Sequence, residues 1–414
     1  MKIVGLSLCL VVLLSGCLAK KETSNNLKTG SWRATLEIQG QSLPFNLEVF
    51  KTPSDSYAIN LRNADEKLLL DEVTVFGDSV DIVLHVFDAN IKARINGDQL
   101  EGEFIKNYEK DYRIPFHAVY GQTFRFETSK DQKDIPDFSG KYAVQFVHER
   151  DTTVAVGIFH QKGDSVTGTF LTPTGDYRYL EGNVTDGKLQ LSTFDGNHAY
   201  LFVAVKSSNG TLTGEYFSGK TWAENWYAQK DENAALPDEE KQTFLKPGYD
   251  RIDFSFPDVN GKKVSLSDEK YKHKVVILQL SGTWCPNCMD ETKFLVPWYN
   301  ENKARGIEVI GLAYERKDDF SYASSRVKKM VDKFNVGYDY VIAPATNDKA
   351  KASETLPMLN KVMAFPTTIF VGKDGKVKKI YSGFSGPGTG IYYDQFIEHF
   401  NQTVNELLKE GSQL

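Results

Sequence analysis

Cysteine is scarce in this chain of 414 residues, with only Cys9, Cys17, Cys285 and Cys288 present. So few exclude a small fold held together by several disulfides. Metal-ligand spacing is also missing. None of the seven histidines stands at ligand spacing from Cys285 and Cys288, and zinc would need two ligands beyond that pair. No metal and no cofactor are therefore expected. There is no excess of basic charge: 49 Lys and Arg against 55 Asp and Glu give −6. This removes the electrostatic footprint of a nucleic-acid binder. No apolar run reaches about 18 residues, so no ordinary transmembrane helix is expected. Aromatics at 12% and charged residues at 25% do not fit a disordered chain. The length predicts roughly three domains.

Residues 1–17 form a unit of their own. Lys2 is followed by an apolar run, Ile3 to Leu14, broken only by Gly5 and Ser7. It has the length of a signal-peptide core and is too short to span a bilayer. It ends in Leu14-Ser15-Gly16-Cys17, which resembles the bacterial lipobox. That resemblance implies export, removal of the peptide carrying Cys9, and acylation of Cys17. The lipid bilayer would then be a partner through the acyl chains. The implied location is the cell envelope, with the body tethered to a membrane and facing the periplasm. Cys285 and Cys288 are the thiols left over. A C-x-x-C pair closes almost no loop, so it adds little as a staple, and redox chemistry is the reading that survives.

Polar stretches divide the rest. Residues 18–29 read as a tether, 30–128 as a first β domain, 138–229 as a second, 230–247 as a linker and 248–414 as an α/β domain. The two β domains read as tandem copies. Phe87-Asp88-Ala89-Asn90 answers Phe194-Asp195-Gly196-Asn197, and Leu100-Glu101-Gly102-Glu103-Phe104 answers Leu212-Thr213-Gly214-Glu215-Tyr216. Alternating apolar residues such as Val80, Ile82, Leu84 and Val86 predict antiparallel strands. Turn signals at Asn96-Gly97, Lys162-Gly163-Asp164, Thr185-Asp186-Gly187 and Ser208-Asn209-Gly210 predict a meander closing as a small barrel or sandwich. In the third domain, strands at 274–280, 307–313, 341–342, 367–371 and 376–381 alternate with helices near 287–303, 318–334, 350–361 and 391–409. That is an α/β layer fold.

Gly282-Thr283-Trp284-Cys285-Pro286-Asn287-Cys288 lies between a buried strand and a helix. A helix N-terminus offers unpaired N–H groups and partial positive charge, which favour the attacking thiolate of Cys285. Pro286 suits the first helical position. One helical turn lets Cys288 resolve a mixed disulfide.

Residues 248–410 resemble the thioredoxin-like domain of TlpA/ResA-type thiol-disulfide oxidoreductases. The resemblance rests on Thr283 to Cys288, Glu291, Phe365-Pro366-Thr367-Thr368 and the Gly372 to Val377 turn. It implies that Pro366 is a cis-proline facing the cysteines, with Trp284, Phe365, Pro366 and Thr367 forming the substrate-binding surface. It implies that Glu291 handles the thiol proton. Thioredoxin has a buried aspartate six residues before its first cysteine, where this chain has Gln279, and that places more weight on Glu291. Pro286 and Asn287, which tune the thiolate, stand in the order C-P-x-C rather than the family's usual C-x-P-C, so the direction of electron flow stays open. Peroxiredoxins share the α/β core, but their threonine stands three residues before the reactive cysteine and Thr283 stands two before Cys285. The implied activity is membrane-anchored reduction of protein disulfides, recharged by a membrane thiol-disulfide donor. The alternatives are an oxidant or isomerase using the same site, and a binding lipoprotein whose β repeats recognise a partner.

Overall fold

The computed structural model describes residues 26–128, 134–238 and 241–410. The leader and the candidate lipidation site, Cys17, lie outside them. Three units follow one another, two all-β and one α/β.

The first unit is a nine-stranded antiparallel meander, β1 (Gly30–Ile38) to β9 (Arg113–Tyr120). Its strand order is β4 (Glu66–Leu70), β3 (Tyr57–Asn63), β2 (Gln41–Lys51), β1, β9, β8 (Gln99–Lys106), β7 (Ala89–Asn96), β6 (Ser79–Val83), β5 (Val73–Phe76), which leaves a seam between β4 and β5. The second unit, β10 (Gly140–His148) to β18 (Trp222–Lys230), is again a nine-stranded antiparallel meander. There β12 (Ser165–Thr172) pairs with both β11 (Asp151–Lys162) and β14 (Leu180–Thr185), so this sheet closes into a barrel. Both copies open on a glycine with φ 121° followed two residues later by a buried aromatic, Trp32 and Tyr142. All four turn signals sit on hairpins. The Val80 to Val86 alternation does not stay extended. Strand β6 (Ser79–Val83) ends early because the backbone bends at His85 (φ 56°), while Leu84, Val86 and Phe87 stay buried in the bend.

The third unit holds a five-stranded sheet. Its order is β23 (Asp339–Thr346), β22 (Ile307–Glu315), β21 (Val275–Ser281), β24 (Thr367–Val371), β25 (Val377–Ser382). The first three are parallel, and β24 and β25 run antiparallel. Strand β21 is buried on both faces, hence its continuous apolar run. Val275 and Ile277 pack with Leu295 of helix α1 (Pro286–Asn302) and Phe400 and Val404 of α4 (Ile391–Lys409). Val276, Leu278 and Leu280 pack on the opposite side with Leu356 and Leu359. Helix α3 (Lys349–Thr355) is shorter than predicted. Leu356 leaves the helical conformation because Pro357 follows it.

Two segments expected to be loose are packed. Leu27 of the tether is buried in the first unit, and the Lys28 carbonyl accepts the Trp32 indole N–H. Within the 230–247 stretch, Thr243 is fully buried and accepts from Ser382 Oγ, and the Lys246 amide donates to the Met358 carbonyl. Polar composition signalled solvation, but each of these residues finds a partner on its neighbouring unit.

The units dock tightly. The ring of Phe194 in the second lies 4.7 Å from Phe45 and 5.0 Å from Phe104 in the core of the first. Arg178, in the second unit, is the hub of all three. It reaches Glu66 of the first unit at 2.5 Å, Asp290 of α1 at 2.8 Å and Asp195 of its own unit at 3.7 Å. All four side chains are buried.

Candidate active site

Strand β21 delivers the chain to the sheet edge, and Gly282 to Trp284 turn it into α1. Gly282 has no room for a side chain, since a Cβ there would lie 2.2 Å from the Trp284 indole nitrogen and 2.7 Å from the Tyr314 carbonyl. Glu315 fixes this turn by accepting from the Thr283 amide (2.8 Å) and hydroxyl (2.9 Å). The Trp284 indole donates to the Tyr314 carbonyl at 2.8 Å.

Cys285 caps α1. Its backbone is extended, Pro286 takes the first helical position, and the Cys288 amide donates to Cys285 Sγ at 3.1 Å. A backbone N–H aimed at this sulfur lowers the cost of placing negative charge there. Cys285 and Cys288 are joined as a disulfide, 5% and 2% exposed respectively. Cys285 Sγ lies 3.6 Å from the Phe365 carbonyl oxygen. The Phe365–Pro366 peptide is cis, and the Phe365 ring meets Trp284 edge-on at 5.8 Å. Trp284, Phe365 and Pro366 thus lie together beside Cys285 Sγ. Thr367 is not part of it. Its side chain is fully buried and donates to the Ala364 carbonyl at 2.8 Å, because the first residue of β24 is already inside the sheet.

Glu291 is completely buried. It accepts from the Thr368 hydroxyl and from the Gln279 amide at 2.7 Å. Burial outweighs these bonds and pushes its carboxyl up to about 7. Gln279 also accepts from Tyr340 Oη at 3.0 Å, and Tyr340 in turn contacts Ser281 Oγ at 2.8 Å. A buried polar network therefore joins β21, α1, β24 and β23, with Glu291 three residues past Cys288 on α1.

A dithiol that can close to a disulfide, set at a helix N-terminus beside a cis-proline peptide, can exchange with other disulfides. Comparisons with known proteins agree. The AhpC/TSA family matches residues 247–380. The thiol-disulfide oxidoreductase ResA of Bacillus anthracis is 30% identical over 133 residues, covering 32% of this chain and 68% of that protein. The chain belongs to the ResA family of thiol-disulfide oxidoreductases. ResA of Bacillus subtilis (strain 168) is 27% identical over 139 residues, 34% of this chain and 69% of its own. Among solved structures, a thiol:disulfide interchange protein from Chlorobium tepidum TLS aligns at 21% identity and TM-score 0.30. It covers 38% of this chain and 95% of that one. In this ResA-family chain the matches fall on the α/β unit, and the two β units are additional to it.

Those β units reach the site, which the sequence reading missed. Asn197 donates to the Trp284 carbonyl at 2.9 Å, and Asn287 donates to the Asp176 carbonyl at 3.1 Å. Asp176 also accepts the Gly386 amide at 2.6 Å. Burial raises its carboxyl to about 6. From the first unit, Tyr108 Oη donates to Asn197 Oδ1 at 3.0 Å. In the sequence, Asn197 stands out only as part of the repeat. The first copy's matching loop also faces the α/β unit, where Asp88 accepts from Tyr322 Oη at 3.1 Å. The clue to these contacts was thus in the sequence, in the shared Phe-Asp-x-Asn motif.

Proposed function

We propose that this protein is a lipid-anchored, extracytoplasmic reductase of protein disulfides. Reduced Cys285 attacks one sulfur of a substrate disulfide, forming a mixed disulfide and releasing one substrate thiolate. Cys288 then attacks Cys285 Sγ and expels the second substrate sulfur. Two electrons pass to the substrate, the two thiol protons end on its sulfurs, and the enzyme is left as the Cys285–Cys288 disulfide. Glu291 takes the Cys288 proton as that thiol attacks. A membrane dithiol donor restores the pair. The observation that carries this reading is the Cys285 sulfur, bound by the Cys288 amide and set against Phe365-Pro366, with buried Glu291 three residues past Cys288 on the same helix. The anchor rests on the leader and Cys17. The domain plan is two β domains (30–128 and 138–229) that hold and flank one redox domain (248–414).

The Pro286-Asn287 order favours a second reading, in which the same site donates its disulfide. The reduction potential decides between them. Equilibration in glutathione buffers at about −250 mV or lower supports the reductase, and about −120 to −180 mV supports the oxidant. Insulin reduction by the reduced protein, absent in Cys285→Ser, is the accompanying assay. Equal traces from the two proteins would end the redox reading.

A further inference from the structure

Beside the redox motif lie two cations that, among the described residues, form no ion pair. Arg316 follows β22 directly and is half-buried. Its guanidinium lies over two rings, 4.2 Å from the Trp284 centroid and 4.9 Å from that of Tyr108. Ring contact leaves the N–H donors of the guanidinium plane free to bind an anion. Its Nε is buried and, among the described residues, has no hydrogen-bond partner. Lys106, the last residue of β8 (Gln99–Lys106), is the second cation. Its ammonium lies over Tyr112 at 4.6 Å and Tyr108 at 5.9 Å. Burial, reinforced by the charge of Arg316, pushes it down to about 8.

The carboxylates that could neutralise this pair are engaged elsewhere. Glu315, next to Arg316 in sequence, is turned onto Thr283. Asp195 is held by Arg178 and His198, and Asp88 by Tyr322 and Arg326. Glu109 is the exception: it is exposed and its charge partly offsets the lowering at Lys106, but among the described residues it forms no ion pair with either cation. Holding two like charges close together and partly desolvated costs free energy unless an anion joins them. The tryptophan under Arg316 is the residue immediately before the attacking cysteine.

We propose that Arg316 and Lys106 form a carboxylate-binding subsite that selects disulfides flanked by an acidic residue. The inference rests on the thiol-disulfide exchange proposed above and adds the chemistry of its preferred substrate. A planar guanidinium binds a carboxylate through two parallel N–H bonds, and Lys106 adds a point charge. Contact with both rings restrains the guanidinium, so little side-chain freedom is lost on binding. The first β unit thereby contributes to substrate choice through Lys106 and Tyr108, although it carries no redox group.

The test uses the reduced full-length mature chain and two disulfide-bonded peptides that differ only in Asp or Asn beside the cysteine. The second-order rate constant of each reaction is measured at low salt. The Asp peptide is expected to react about tenfold faster. That ratio should fall to about one in Arg316→Gln and to an intermediate value in Lys106→Gln. Reading a ratio cancels any general loss caused by unstacking from Trp284, and Lys106→Gln serves if Arg316→Gln does not fold. A ratio near one in the unaltered protein, or one unchanged in both variants, overturns the subsite while leaving the exchange activity standing. Failure to reduce either peptide overturns the exchange reading, and the subsite falls with it.

Discussion

The Gln279 amide donates to the Glu291 carboxylate across 2.7 Å, inside a network sealed from water. Where thioredoxin has a carboxylate on the strand, this chain has an amide on the strand and the carboxylate on the helix. The acid has changed elements and sits on the helix that carries both cysteines at its start.

Glu291 should set the pH dependence of exchange. Burial brings its carboxyl to about 7, so it gains and loses its proton within the working range. The rate of disulfide reduction should inflect near pH 7. Glu291→Gln should remove the inflection and slow the reaction about a hundredfold. Stopped-flow rates between pH 5 and 9 check this, and a variant with the same inflection would assign it to another group.

The same residue should leave a mark on stability. Its folded value lies above its ordinary 4.5, so the folded state holds the proton more tightly than the unfolded chain does. Its contribution is therefore full below about pH 4.5, declines as pH rises, and is gone above about pH 7. The shift corresponds to about 3 kcal/mol. The stability difference between the parent and Glu291→Gln, from urea unfolding of the oxidised proteins at several pH values, should change by that amount over this window.

Arg178 should be the most damaging single substitution outside the redox motif. Arg178→Met leaves Glu66, Asp195 and Asp290 buried together without their cation. Removing one partner from such a cluster costs about 3–5 kcal/mol. Urea unfolding followed by tryptophan fluorescence should show the midpoint falling accordingly. A shift below about 1 kcal/mol would mean that the three units hold together without this hub.

Cys288→Ser should trap substrate. With no second thiol to resolve it, the mixed disulfide at Cys285 should accumulate and appear as a larger species on non-reducing gels. Cys285→Ser should trap none. Adducts on both variants would reverse or blur the assigned roles.

The α/β unit was largely legible in the sequence because its strands and helices carry strong, local patterns. β21 reads as an unbroken apolar run, and Cys285-Pro286 marks a helix start through capping chemistry that needs no distant partner. Most strand neighbours in the β units follow from hairpin turns, which are equally local, whereas the β1–β9 and β10–β18 pairings join strands far apart in sequence. What escaped was docking. Arg178, Asn197, Tyr108 and Arg316 look like ordinary surface residues until chain segments far apart in sequence are brought together. Thr367 was misplaced for a related reason: a motif shows which residues stand together, but the sheet decides which of their side chains face inward.

The contacts of Asn197 with Trp284 and of Asp176 with Asn287 fall on the two residues that flank Cys285-Pro286. Thermodynamic linkage gives them a consequence. Suppose opening the disulfide shifts either residue, so that the β units hold one redox state more tightly than the other. The same difference must then appear in the electron affinity of the pair, because the two equilibria form a closed cycle. For a two-electron couple, about 1.4 kcal/mol of such preference is worth about 30 mV. The excised α/β unit and the whole chain would then be different redox reagents with the same two sulfurs, and the β units would act as a setting on the voltage.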